Sequence, residues 1–131
     1  MHPRPPATID GLRLAPCDPL ILAVRTDLRP LRGLTGHVDW HLGGVLSRLV
    51  AAGKLAHDEP ILRPAHPLLP VGRLVLWRQG AATPADLARM VHGLNAGRPG
   101  LCPADFQFSE SELRAALGPH TIIYVPPTAA D

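Results

Sequence analysis

The sequence has few aromatic residues and almost no lysine. Trp, Tyr and Phe make up 4% of the 131 residues, which disfavours a protein that stacks nucleic-acid bases on an aromatic platform. Lys54 is the one lysine among thirteen cationic residues, and the formal net charge is +2. Because the arginines are scattered along the chain, a nucleic-acid partner is considered but not favoured.

The chain also lacks the cysteine patterns and long apolar runs of secreted and membrane proteins. Cys17 and Cys102 form no Cys-x-x-Cys pair and have no histidine at zinc-finger spacing. The first residues lack the apolar segment of a signal peptide, and no apolar run is long enough to span a bilayer. We expect a cytoplasmic protein with no membrane partner and no cofactor. The pairing of the two cysteines stays open.

Carboxylates suited to metal-assisted catalysis are scarce. The three glutamates are Glu59, Glu110 and Glu112, and most aspartates fall at predicted turns or helix caps. A two-metal peptidase needs several carboxylates that converge on the ions. Ser47 lies in mid-helix without the motif of an activated nucleophile. The residue pattern therefore indicates no catalytic site.

What the chain does contain is typical of one globular α/β domain. Hydrophobic residues make up 46% and charged residues 18%, which supplies enough apolar side chains for a core. We expect a single domain over 8–127, with a Pro-rich tail at 1–7 and a short tail at 128–131. Alternating or continuous apolar runs predict strands at 8–14, 19–25, 61–63, 72–78, 105–108 and 121–125.

Three helices are predicted between these strands. Apolar residues at helical spacing from Val38 to Val50 give the first. Capping boxes at Thr83–Asp86 and Ser109–Glu112 begin the other two. The order of elements predicts an α/β layer structure with a mixed sheet.

The start of the first helix is the most informative segment. Thr35 is expected as its N-cap, and Asp39 lies in the first turn, where a negative charge suits the helix dipole. Gly43 and Gly44 are unfavourable inside a helix. A glycine pair there indicates that a backbone or a ligand approaches closely.

The segment from Gly33 to Asp39 follows a predicted buried strand, which is where α/β sheets bind phosphates. Arg29 and Arg32 stand just upstream, so a phosphate site would use them with Gly33, Gly36 and Asp39. The glycines match no established phosphate-loop pattern. The alternative is that they let the loop turn and that Trp40 packs against neighbouring layers.

Two histidines and one arginine on the same segment complete the candidates. His37 and His41 have the spacing of zinc ligands on a helix, but no third ligand is evident, so no metal site is expected. Arg48 is a candidate ion-pair partner of Asp39. It could also join Arg29 and Arg32 in a small basic patch.

The residues from 28 to 49 carry a family resemblance. Their pattern R-P-L-R-G-x-x-G-x-V-D-W-x-L-x-G-x-L-S-R-L resembles the N-terminal domain of the leucyl aminopeptidase family, in particular a bacterial subset. That resemblance implies a three-layer α/β/α macro-domain-like fold with a mixed, mostly parallel sheet. It implies a domain without peptidase chemistry, which assembles oligomers and in some members contributes to DNA binding. No peptidase residues are carried over.

The function expected from these features is a non-catalytic binding or assembly module. It would act as a homo-oligomer or through another protein, with a surface made of His37, Trp40, His41 and Arg48. An alternative is a nucleotide or ADP-ribose binder at Gly33–Asp39, because related macro domains hold ADP-ribose at comparable glycine-rich loops. A DNA-associated regulatory protein is the third alternative.

Overall fold

A computed structural model describes residues 4–25, 31, 33–55, 60–63, 67–95 and 97–126. The strands are β1 (Leu20–Val24), β2 (Ile61–Arg63), β3 (Leu74–Arg78), β4 (Gly100–Leu101) and β5 (Ile122–Ile123). The helices are α1 (Ile9–Leu14), α2 (Gly33–His41), α3 (Val45–Ala51), α4 (Pro84–Gly93), α5 (Pro103–Phe106) and α6 (Glu110–Leu117).

The five strands form one mixed sheet in the order β2-β3-β1-β4-β5. Strand β1 lies in the middle and pairs in parallel with β3 over its whole length and with β4 at Leu20. Strand β5 pairs in parallel with β4, whereas β2 runs antiparallel to β3. The expected mixed, mostly parallel sheet is confirmed.

Both faces of the central strands are covered, which explains their continuous apolar sequence. On one face Leu20, Leu22 and Val24 pack in a core with residues of α1, α2 and α3. On the other face Ile21 and Ala23 pack in a second core with residues of α4, α5 and α6. The protein is therefore a three-layer α/β/α structure, as expected.

Two predicted strands are helices instead. Residues 9–14 form α1 because the Thr8 hydroxyl accepts a hydrogen bond from the N–H of Gly11 at 3.2 Å and caps the helix. This local cap is a stronger determinant than the partial alternation in the sequence. The predicted strand at 105–108 overlaps α5, which Pro103 begins in its first turn. The strand of this region is β4, in a segment expected to be a loop.

The predicted helix from Val38 to Val50 is two helices, and the first begins earlier. Gly43 and Gly44 have φ angles of +71° and +87°, a conformation that glycine adopts at low cost. They end α2 and lead into α3, so the glycine pair marks a bend between two helices. Thr35 is no N-cap either, because it lies inside α2 and is buried.

The two cysteines are buried free thiols. Burial raises the pKa of Cys17 to about 12 and that of Cys102 to about 11, so neither is a thiolate nucleophile at neutral pH. No helix in the described part of the chain is long and apolar enough to cross a membrane. The cytoplasmic location and the domain bounds at 8–127 stay predictions.

Candidate functional site

The sheet has a topological switch point between β1 and β4. From the carboxyl end of β1 the chain leads to α2 on one face and then to β3 on one side. From the carboxyl end of β4 it leads to α5 on the opposite face and then to β5 on the other side. In open α/β sheets, ligands bind in the crevice that such diverging connections leave.

A crevice of about 160 Å³ lies at this point. Side chains from three elements hold its walls together. The Thr35 hydroxyl donates to the carbonyl of Ala23 at 2.5 Å, which ties α2 to the end of β1. The Gln79 amide donates to the carbonyl of Asp105 at 2.7 Å, which ties the end of β3 to α5. The lining residues are Ala23, Arg25, Leu31, Gly33, Thr35, Gln79, Ala104 and Asp105.

Asp105 caps the N-terminus of α2 from across the crevice. Its Oδ2 accepts the N–H of Leu34 at 3.0 Å, although the two residues are 71 positions apart. Gly33 has a φ of +66°, and a Cβ at this position would overlap the Asp105 carboxylate. The carboxylate therefore lies where an anion would sit at a helix N-terminus.

The pKa of Asp105 is raised above its ordinary value. Burial is the largest cause because it disfavours the charged form. Hydrogen bonds from the N–H groups of Leu34 and Thr35 oppose this effect, as does the nearby charge of His37. Asp105 thus takes up a proton more readily than an aspartate in water.

A larger cavity of about 800 Å³ runs along the exposed side of α2. Trp40 forms part of its wall and is 88% exposed, so the expectation that Trp40 packs between layers is wrong. The cavity shares Leu31 and Gly33 with the crevice, so the two spaces adjoin. Its lining is Leu31, Gly33, Gly36, His37, Asp39, Trp40, Gly43 and Gly44.

Asp39 has a structural role, although it does not lie in the first turn of a helix as expected. It lies near the end of α2 and is buried. Its Oδ1 accepts the N–H of Ser47 at 3.0 Å, and its Oδ2 accepts the Ser47 hydroxyl at 2.5 Å. Asp39 therefore joins α2 to the first turn of α3. Arg48 does not pair with it but donates to the carbonyl of Gly43 at 2.8 Å.

The two histidines have different surroundings. His41 Nε2 lies 2.7 Å from the carbonyl oxygen of Leu68, while His37 is exposed at the wall of the larger cavity. Within the described ranges no three His, Cys, Asp or Glu side chains are grouped to hold a metal ion. Arg29 and Arg32, predicted to contact phosphate, lie outside the described residues.

Sequence reasoning placed Gly33, Gly36 and Asp39 in one site, and all three line the larger cavity, but it missed Asp105 and Gln79. No local pattern marks either residue, because each matters through a contact distant in sequence. Asp105 lies just beyond the carboxyl end of β4, a strand of two residues that no sequence pattern marks. Residues just beyond the carboxyl end of such a strand line the crevices of α/β sheets.

No protein-family model and no curated protein matches the chain. Among solved structures, the chain is similar to the macrodomain of Mycobacterium tuberculosis DarG, with a TM-score of 0.58 and 12% identity over 86% of this chain and 90% of that one. It is also similar to the macrodomain of Thermus aquaticus DarG, with a TM-score of 0.57 and 13% identity over 89% and 93%. At these identities the likeness establishes the macrodomain-like fold.

These structures correct two predictions. The assignment to the aminopeptidase N-terminal domain is wrong, because the matching structures are DarG macrodomains and nothing points to that family. The prediction that the chain is not an enzyme is contradicted with it, because the matching structures are macrodomains and the aminopeptidase domain's lack of peptidase chemistry no longer supports it. The bacterial source, self-association, a partner protein and the roles of the candidate site residues stay predictions.

Proposed function

We propose that the chain binds ADP-ribose or a closely related nucleotide, with the diphosphate in the crevice between α2 and α5. The observation that carries this proposal is the crevice at the switch point of a macrodomain-like sheet. It joins a cavity of about 800 Å³, which falls within the volume range of small-molecule sites. This was the alternative function expected from the sequence.

The crevice supports an anionic ligand for two reasons. The helix α2 points its N-terminus into it, and helix N-termini favour negative charge. Arg25 also lines it. Asp105 opposes such a ligand, because its carboxylate already accepts the N–H of Leu34. The diphosphate therefore lies beside Asp105 or displaces it.

Calorimetric titration of the chain with ADP-ribose tests the proposal. We expect saturable binding that ADP shares and free ribose lacks, since the diphosphate provides the charge that the helix N-terminus recognises. The absence of any heat at millimolar ADP-ribose would overturn the proposal. Incubating the same preparation with an ADP-ribosylated substrate measures whether ADP-ribose is released.

A pair of charge insertions locates the site. Ala104 is exposed and lines the crevice, so Ala104→Glu places a negative charge where the diphosphate lies. We expect this variant to bind ADP-ribose at least tenfold more weakly. The matched control is Ala115→Glu, at an exposed position of α6 away from the crevice, which we expect to leave the affinity unchanged. Equal losses in both variants would place the ligand elsewhere.

A further inference from the structure

The Asp105 carboxylate occupies hydrogen-bond donors that a bound anion would use. Its Oδ2 accepts the N–H of Leu34 at 3.0 Å, and the N–H of Thr35 is a second donor to the carboxylate. Both groups belong to the first turn of α2, where backbone N–H groups have no partner inside the helix. A phosphate oxygen at this helix N-terminus would bind the same two donors. The carboxylate and a ligand phosphate therefore exclude each other there.

Gly33 gives the carboxylate room to reach this position. A Cβ at Gly33 would overlap Oδ1 of Asp105, so a residue with a side chain would push the carboxylate away from the helix. One carboxylate oxygen thus lies against the Gly33 backbone while the other accepts the N–H of Leu34. The first turn of α2 is shaped to hold an anion that the chain itself provides.

We infer that Asp105 is an internal competitor of the ligand and determines how tightly the crevice binds an anionic group. In this inference the diphosphate displaces the Asp105 carboxylate from the N–H groups of Leu34 and Thr35. The inference rests on the proposed function and adds which group the ligand must replace. It also predicts that removing a side chain from the site strengthens binding, which a purely structural cap would not do.

Displacement of the carboxylate requires movement of one side chain only. The main chain of Asp105 is held on both sides, because its N–H donates to the carbonyl of Cys102 at 3.1 Å and its carbonyl accepts the Gln79 amide at 2.7 Å. Rotation about the Cα–Cβ bond of Asp105 would free the first turn of α2 while α5 stays in place. Burial raises the pKa of Asp105, which shows that its surroundings stabilise the carboxylate less well than water does.

The charged groups near Asp105 do not favour the carboxylate over a ligand. Among the described residues, Arg25 lines the same crevice and the charge of His37 acts on Asp105. Positive charge at these positions attracts a diphosphate as well as a carboxylate. The negative charge of Asp105, in contrast, repels a diphosphate that lies beside it. Neutralising Asp105 therefore removes both the competition and the repulsion.

Calorimetry with neutral variants tests the inference. We expect Asp105→Asn and Asp105→Ser to bind ADP-ribose at least about tenfold more tightly than the parent chain. Serine is included because its hydroxyl also caps helices well, so one neutral variant keeps a good cap. The matched control is Asp86→Asn, which neutralises the acidic cap of α4 and does not line the crevice. We expect this control to bind like the parent chain.

The amide NMR signal of Leu34 tests the displacement directly. In the parent chain we expect ADP-ribose to shift this signal, because the acceptor of the Leu34 N–H changes from a carboxylate to a phosphate oxygen. The same signal should already differ between the free parent chain and free Asp105→Ser, since the variant lacks the carboxylate.

The outcomes separate this inference from the proposed function. Neutral variants that bind ADP-ribose no more tightly than the parent chain would overturn the competition and leave the crevice as the binding site. ADP-ribose that binds without moving the Leu34 signal would do the same. No heat from ADP-ribose with the parent chain or with either neutral variant would overturn the proposed function, and the competition with it.

Discussion

The helices α4 and α2 both begin at an acidic cap, but the caps come from different places. At α4 the Thr83 hydroxyl accepts the N–H of Asp86 at 3.1 Å, and the Asp86 carboxylate accepts the N–H of Thr83 at 3.0 Å. Both partners lie within four residues. At α2 the carboxylate belongs to Asp105, 71 residues from the N–H of Leu34 that it accepts.

The two carboxylates also differ in their electrostatics. The pKa of Asp86 is lowered, chiefly by the hydrogen bond from the Thr83 N–H. The pKa of Asp105 is raised, chiefly by burial. The cap of α4 is therefore a local, solvated stabiliser that forms with the helix. The cap of α2 is complete only after β4 has paired in the sheet and α5 has packed against it. The candidate site is therefore a product of tertiary packing.

The largest effect on stability is expected at Gly33, because the Asp105 carboxylate that caps α2 leaves no room for a side chain there. Gly33→Ala should reduce the free energy of unfolding by about 3 kcal/mol, because it combines a left-handed backbone with an overlap against Asp105. Gly80→Ala is the matched control, since its φ is +86° but no described atom lies within 4 Å of the new Cβ. It should cost about 1 kcal/mol. Equal losses in urea unfolding would show that Asp105 moves aside freely.

The contrast between the two caps explains how much of the fold was predictable. The capping boxes of α4 and α6 are confirmed because their donors and acceptors are neighbours in sequence. The apolar runs of β1 and β3 are likewise confirmed, since burial on both faces requires them. The short strand β4 was missed because its two residues carry no period that a sequence pattern can detect.

The candidate site was predictable only in part, for the same reason. The segment after β1 was correctly singled out, because the carboxyl end of a buried strand is a general binding position. The start of α2 was predicted three residues late, after an expected N-cap at Thr35, because the sequence just before Gly33 offers no local cap. Asp39 was expected in the first turn of one long helix, whereas it lies near the end of α2 and its partner Ser47 belongs to the next helix. Tertiary partners of this kind leave no local signature.

A moderate effect on stability is expected at Thr83, in the local capping box of α4. Thr83→Ala removes the hydroxyl that accepts the N–H of Asp86 and should reduce the free energy of unfolding by about 1 kcal/mol. Thr83→Ser keeps the hydroxyl and should stay close to the parent chain. Since Thr83 does not line the crevice, ADP-ribose affinity should be unchanged in both variants. A change in affinity with Thr83→Ala would mean that the two regions are coupled.

The smallest effect is the pH dependence of stability, which should have opposite signs for the Asp86 cap of α4 and the Asp105 cap of α2. The folded-state pKa of Asp105 lies above its ordinary value of 3.8, so the folded protein binds this proton more tightly than the unfolded chain. Its contribution to stability is therefore greatest below the ordinary value and is lost as the pH rises through the folded value.

For Asp86, whose folded-state pKa is lowered, the contribution is present above the ordinary value and is lost as the pH falls. The difference in the free energy of unfolding between Asp105→Asn and the parent chain should thus change with pH in one direction. The corresponding difference for Asp86→Asn should change with pH in the opposite direction. Urea unfolding of the three proteins at steps between about pH 2 and pH 7 measures both slopes, because the change for Asp86 falls below its ordinary pKa of 3.8 and that for Asp105 above it. Parallel slopes would show that burial does not govern the remote cap, and that both carboxylates are stabilised by their N–H donors alone.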